Sequence, residues 1–166
     1  MGKHYTRQGN LWCLFLMLVF RLVRQAYARQ LDGKGAALFG GRWNSVGRPL
    51  LYTAEHRSLA VLEYRVNNPL PLKDLIMVTL EAPEHAIKTV NTQDLNSHWR
   101  AYAPENECAA IGDQWLESQE SLMLRVPSAI VPQENNVLIN PLHNSMREVK
   151  ILDATPFLID HRLYGR

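Results

Sequence analysis

Long apolar runs, cysteine clusters and glycine-rich phosphate motifs are all missing from this chain of 166 residues. Each absence removes a class of function. Two cysteines, Cys13 and Cys108, are too few for a disulfide framework or a zinc site, so no metal is expected. They fit a reducing cytoplasm, and one pair leaves a single disulfide open. The longest apolar run, LWCLFLMLVF at 11–20, is too short to span a bilayer. Arg21 and Arg24 follow it directly, where a secretory signal would carry a small-residue cleavage site. No P-loop is present and no G-x-G-x-x-G follows a strand, so neither P-loop nor Rossmann binding is supported. With a net charge of only +2, the chain lacks the bulk basic footprint of a nucleic-acid binder. No repeat or low-complexity segment appears.

What is there is a globular composition. The apolar share is 46%, which argues against disorder. The length suits one domain with a sizeable core.

The richest stretch is GGRWNSVGRPLLYTAEHRSLAVLE at 40–63. Gly40 and Gly41 open a turn that continues through Arg42, Trp43 and Asn44. A second turn follows at Gly47, Arg48 and Pro49, then a short strand at 50–52. Thr53 is positioned to cap a helix with Glu55 in its first turn. In that helix Leu59, Leu62 and Val66 form a core-facing stripe. Glu63 sits at the edge of the stripe, half-buried and in need of a partner. These residues also fit a plain turn, strand and helix with surface Arg and Glu side chains. Their company points further. Glycines beside an Arg let backbone approach a ligand closely. Arg42, Tyr52 and Glu63 together suit a ligand with a phosphate, a flat ring and a sugar hydroxyl.

Elsewhere, 18–23 reads as a buried strand and 27–35 as a polar turn or short helix. Strands are expected at 75–80 and 87–90. His98, Trp99 and Tyr102 form an aromatic cluster in a loop, a core plug or a ligand cover. A helix is expected over 105–120, with Cys108, Ile111, Trp115 and Leu116 on its apolar side. Residues 122–130 read as extended, and Pro127 marks an edge strand or bulge. Ser128 follows; alone it reads as a turn serine, with no G-x-S-x-G around it. Further strands are expected at 137–139 and 148–152, then a tail around Phe157.

The 40–63 stretch resembles the signature of the RES domain, named for its Arg, Glu and Ser. VPSAIVPQENNVLINP at 126–141 and FRLVR at 20–24 are similar to further blocks of that family, in the same order. Asn140, Pro141 and His143 match its NP-x-H, with Asn144 where the family usually has proline. His143 itself reads as structural. The resemblance runs from about residue 20 to the C-terminus. It implies one RES domain over 17–166 behind an extension at 1–16, with Met17 serving as an internal start. The implied fold is α+β, similar to ADP-ribosyltransferases: small, strongly bent β-sheets flanked by helices around an NAD cleft.

The resemblance also implies chemistry. RES proteins include toxins of type II toxin–antitoxin pairs that consume NAD+ as substrate, with no cofactor, or transfer ADP-ribose to a protein. On matching positions, Arg42 and Arg21 would hold the pyrophosphate, and Tyr52 would pack on the nicotinamide or its ribose. Glu63 would oppose the cation forming at the ribose, and Ser128 would orient Glu63 or the ribose by hydrogen bonding. Val61, two residues before Glu63, offers no help to an attacking side chain, which tilts the expectation from protein ADP-ribosyltransferase toward NAD+ glycohydrolase. A non-enzymatic nucleotide-binding or interaction module stays open. The implied partner is an Xre-type antitoxin covering the active site, with DNA reached only through it, no membrane, and a cytoplasmic location. A homodimer or a hetero-oligomer is equally open.

Overall fold

Runs of branched and apolar residues separated by Gly, Pro and Asn turns build a mainly antiparallel sheet. The computed structural model describes residues 15–70, 73–101 and 107–165. Among the described residues the chain forms seven strands and three α-helices. The strands are β1 (Leu16–Arg24), β2 (Leu51–Ala54), β3 (Leu75–Pro83), β4 (Ile87–Thr89), β5 (Met123–Pro127), β6 (Asn135–Ile139) and β7 (Lys150–Pro156). The helices are α1 (Lys34–Phe39), α2 (Arg57–Asn67) and α3 (Glu107–Ser118). Their order across the sheet is β4-β5-β6-β2-β1-β3-β7. All neighbours are antiparallel except β4 and β5. This is the expected α+β class.

The sheet has a seam. β1 pairs with β3 along its whole length, from Leu16↔Pro83 to Arg24↔Leu75. β2 pairs with β6 along its whole length as well. Between β1 and β2 the ladder holds a single pair, Phe20↔Ala54. The one sheet therefore divides into a four-strand part and a three-strand part hinged at that pair.

β3 lies between β1 and β7 and is buried on both faces, which explains its near-continuous apolar run. Val78 and Leu80 face a core cluster with Val19, Met123 and Ile139. Met77 faces the other side, with Phe20, Leu22 and the α2 residues Leu59 and Ala60. A third cluster joins Trp43, Trp99 and the α3 residue Trp115 to the face of β5 and β6 that carries Leu124 and Leu138. Trp99 is thus a core plug. His98 is exposed, and Tyr102 lies outside the described residues. α3 approaches so closely that a Cβ on Gly112 would sit 1.9 Å from the Trp43 carbonyl oxygen.

Several local expectations are corrected. Thr53 does not cap a helix: it stays in β2, and its hydroxyl donates to the Val137 carbonyl at 2.5 Å. β2 runs on to Ala54 because β6 pairs with it as far as Asn136, so α2 starts only at Arg57, after His56. Glu55 is therefore outside the helix, bridged to Arg125 of β5 at 2.6 Å. Val66 is 61% exposed, because α2 turns its face toward β1 through Leu59 and Ala60 instead. Pro127 ends β5 past the reach of β4, whose pairing stops at Arg125, so no partner on that side needs its missing N–H. The strand expected at 148–152 begins at Lys150, after a 3₁₀ turn over Asn144–Glu148. Among the described residues no helix is long and apolar enough to cross a membrane.

Candidate functional site

Where β1 and β2 stop pairing, a cleft of about 710 Å³ opens between them. That size suits a nucleotide-sized ligand. One wall is β1 from Phe20 to Arg24 and the other is β2; the 40–43 turn, α1 and the inner face of α2 complete it. Arg21, Arg42, Tyr52 and Glu63 all line this space. Ser128 does not line it but touches Glu63 from behind.

Glu63 is half-buried, on the face of α2 that looks at the sheet. Ser128 Oγ donates to Glu63 Oε1 at 2.8 Å, and Asn136 Nδ2 donates to the same oxygen at 2.5 Å. The Ser128 hydroxyl in turn accepts from the backbone N–H groups of Ile130 and Val131 at 3.1 and 3.2 Å. Those two N–H groups aim its only proton at the carboxylate. Ser128 is fully buried just past the end of β5, so the irregularity at Pro127 delivers it.

Tyr52 works through its hydroxyl. That oxygen accepts from the Trp43 N–H at 3.0 Å and donates to Asn44 Oδ1 at 2.8 Å. Asn44 Nδ2 then donates to the carbonyls of Ala36 and Arg48, both at 2.9 Å. The 40–44 turn is fixed to β2 and α1 by this hub. Gly40 has φ of 68°, and a Cβ on Gly41 would lie 2.5 Å from the Tyr52 hydroxyl, so both glycines are required. Burial holds the Tyr52 phenol well above its usual range, so it stays a neutral donor.

Arg42 leaves the turn toward the 99–101 segment. Its Nη1 donates to the carbonyls of Trp99 at 2.6 Å and Ala101 at 3.3 Å, and Nη2 to Arg100 at 3.4 Å. Arg21 projects from β1, with Nη1 donating to the Gln30 carbonyl at 2.9 Å. Its Nε is buried with no hydrogen-bond partner. Burial pushes the guanidinium down to about 10, against the opposing pull of Asp32.

His143 is structural: Nδ1 accepts from the Ser145 N–H at 3.1 Å and Nε2 meets the Gln119 carbonyl at 3.2 Å. Sequence reasoning missed Asn136 and Asn44. Both are buried amides, 9% and 1% exposed. A signal for Asn136 existed: two residues before Leu138, it shares that residue's inward face, where a polar group needs a partner. Asn44 sits in a turn, where periodicity is silent.

With that geometry in place, likeness to known proteins is informative. A model of the RES domain matches residues 18–160. A protein called Toxin Res from Photorhabdus laumondii is 42% identical over 154 residues, covering 89% of this chain and 97% of that protein. Another Toxin Res, from Yersinia enterocolitica, is 36% identical and covers 89% and 99%. The Prs ADP-ribosylating toxin of a Sphingobium species is 37% identical over 82% of this chain and 88% of its own. Among solved structures, the M. tuberculosis MbcT-MbcA toxin-antitoxin complex contains a chain that superposes with a TM-score of 0.71. It is 17% identical, with 86% of this chain and 85% of that one covered, a likeness of fold.

Proposed function

The chain belongs to the RES domain family, and on that premise we propose that it is the toxin of a type II toxin–antitoxin pair, acting as an NAD+ glycohydrolase. The observation that carries this reading is Glu63, held through Oε1 at the wall of a cleft that also contains Arg21 and Arg42. NAD+ is the substrate, and no further cofactor is required.

The ribose C1′–nitrogen bond of NAD+ breaks with its electron pair leaving on nicotinamide, whose ring becomes neutral. Positive charge develops at C1′, as in glycoside hydrolysis. The Glu63 carboxylate opposes that charge and accepts a hydrogen bond from a ribose hydroxyl through its other oxygen. Water adds to C1′ and loses one proton, giving ADP-ribose. Arg21, whose Nε lacks a protein partner, and the Nε edge of Arg42 hold the pyrophosphate. Tyr52 keeps its hydroxyl on the turn and offers its ring to the nicotinamide ribose.

Transfer of ADP-ribose to a protein is the second reading, favoured by the name of the Sphingobium relative. Against it, position 61 is Val61, packed against the Phe20–Leu59 cluster, with no polar group to activate an acceptor side chain. An Xre-type antitoxin covering the cleft is the proposed partner, in the cytoplasm, with DNA reached only through it.

Purified protein incubated with NAD+ separates the readings. Equal release of nicotinamide and free ADP-ribose is expected. Nicotinamide without free ADP-ribose overturns hydrolysis in favour of transfer, and no consumption of NAD+ leaves a binding module.

A further inference from the structure

Two donors of different origin converge on one oxygen of Glu63. Ser128 reaches it from a turn just past β5, whereas Asn136 reaches it from within the sheet. Asn136 belongs to β6, paired with Ala54 of β2 on one side and Val126 of β5 on the other. Its backbone is thus held from both edges. Its side chain lies on the face shared with Tyr52 and Leu138, and it lines the cleft.

The amide orientation follows from its neighbour. An amide oxygen 2.5 Å from a carboxylate oxygen would be repelled, so the NH2 group must face Glu63. Glu63 rides on α2, which packs through Leu59 and Ala60 against the β1 residues Phe20 and Leu22. The hydrogen bond from Asn136 sets where the carboxylate sits relative to β2, and therefore relative to Tyr52 on the same strand. With both donors on Oε1, Oε2 has no side-chain partner among the described residues and can face a ligand.

We propose that Asn136 is a positioning residue of this site, fixing the Glu63 carboxylate so that one oxygen is anchored and the other is presented to the ribose. The inference rests on the reading of the cleft as an NAD+-cleaving site. Asn136 acts through Glu63 and makes no contact with the reacting carbon.

The test is a double-mutant cycle of Asn136→Leu with Glu63→Gln, assayed for NAD+ turnover and for urea unfolding. Asn136→Leu alone should lower kcat by about 10- to 100-fold, the scale for partners that orient a functional group, with KM for NAD+ within about threefold. In the Glu63→Gln background the same substitution should change kcat less than about threefold, because the group it positions has lost its charge. An equal factor in both backgrounds overturns the proposal, since a merely structural role is additive. Asn136→Ser, smaller and easier to accommodate, replaces Asn136→Leu if the latter fails to fold. Should the unmutated protein leave NAD+ intact, the glycohydrolase reading falls by itself. The unfolding midpoints then decide this inference: non-additive shifts support the Asn136–Glu63 link, and additive shifts sink it.

Discussion

Glu63 and Ser128 are 65 positions apart in the chain, and the Ser128 hydroxyl donates to Glu63 Oε1 at 2.8 Å. A residue of α2 and one just past the end of β5 are thereby in direct contact. The contact also ties the 128–131 turn to the cleft, because the same hydroxyl accepts from Ile130 and Val131.

Ser128→Ala should therefore act twice. It should lower kcat about tenfold, Asn136 still holding Oε1, and it should cost roughly 1–3 kcal/mol of stability by leaving buried N–H groups without an acceptor. Steady-state kinetics and urea unfolding measure the two separately. A stability loss with unchanged kcat would leave Ser128 as a turn residue only.

Arg42 should prove to be both a ligand group and a clasp. In Arg42→Ala the carbonyls of 99–101 lose their cation, and amide exchange at Trp99 and Ala101 should quicken about tenfold or more, a loss of roughly 1.4 kcal/mol of local stability. Arg42→Lys should restore neither this protection nor turnover, because one ammonium cannot match the guanidinium fork. Unchanged exchange in Arg42→Ala would mean that packing of Trp99 alone holds the segment.

Arg21 should cost stability in return for its place in the cleft. Burial lowers its folded-state value to about 10 from 12.5, so folding disfavours the charged form. That penalty is fully present at pH 7 and fades only as pH rises through about 10. Arg21→Met should therefore stabilise the protein by about 1 kcal/mol, raising Tm by roughly 2–4 °C near neutral pH, while weakening NAD+ binding. A lower Tm would show that the bond to the Gln30 carbonyl outweighs the desolvation.

Gly112→Ala tests how the 40–44 turn is supported from outside the cleft. The added methyl would lie 1.9 Å from the Trp43 carbonyl oxygen, so α3 must move away. A loss of about 3 kcal/mol or more is expected from urea unfolding, with reduced turnover because Trp43 also donates to Tyr52.

Much of this was legible in the chain, for identifiable reasons. The β3 run and the α3 stripe are long and strongly patterned, so their periodicity alone places them. Glu63 at the edge of an apolar stripe announces a partnered carboxylate. The start of α2 was not legible: Thr53 and Glu55 satisfy capping rules locally, but pairing of β2 with β6 claims Thr53 for the sheet. A long-range ladder overrode a local signal. The role of Asn44 was equally hidden, because it depends on Tyr52 folding back from the next strand. The seam between β1 and β2, which makes the cleft, depends on which strands fail to pair, and no local pattern records that.

The most direct test of the central claim is nicotinamide release from NAD+ by the unmutated protein beside its Glu63→Gln variant, at equal concentration and matched fold by circular dichroism. The account predicts that the unmutated protein releases nicotinamide and that the variant does so slower by a factor of about 100 or more, the scale of a lost electrostatic stabiliser. Equal rates from the two proteins would contradict it by removing the Glu63 charge from the chemistry.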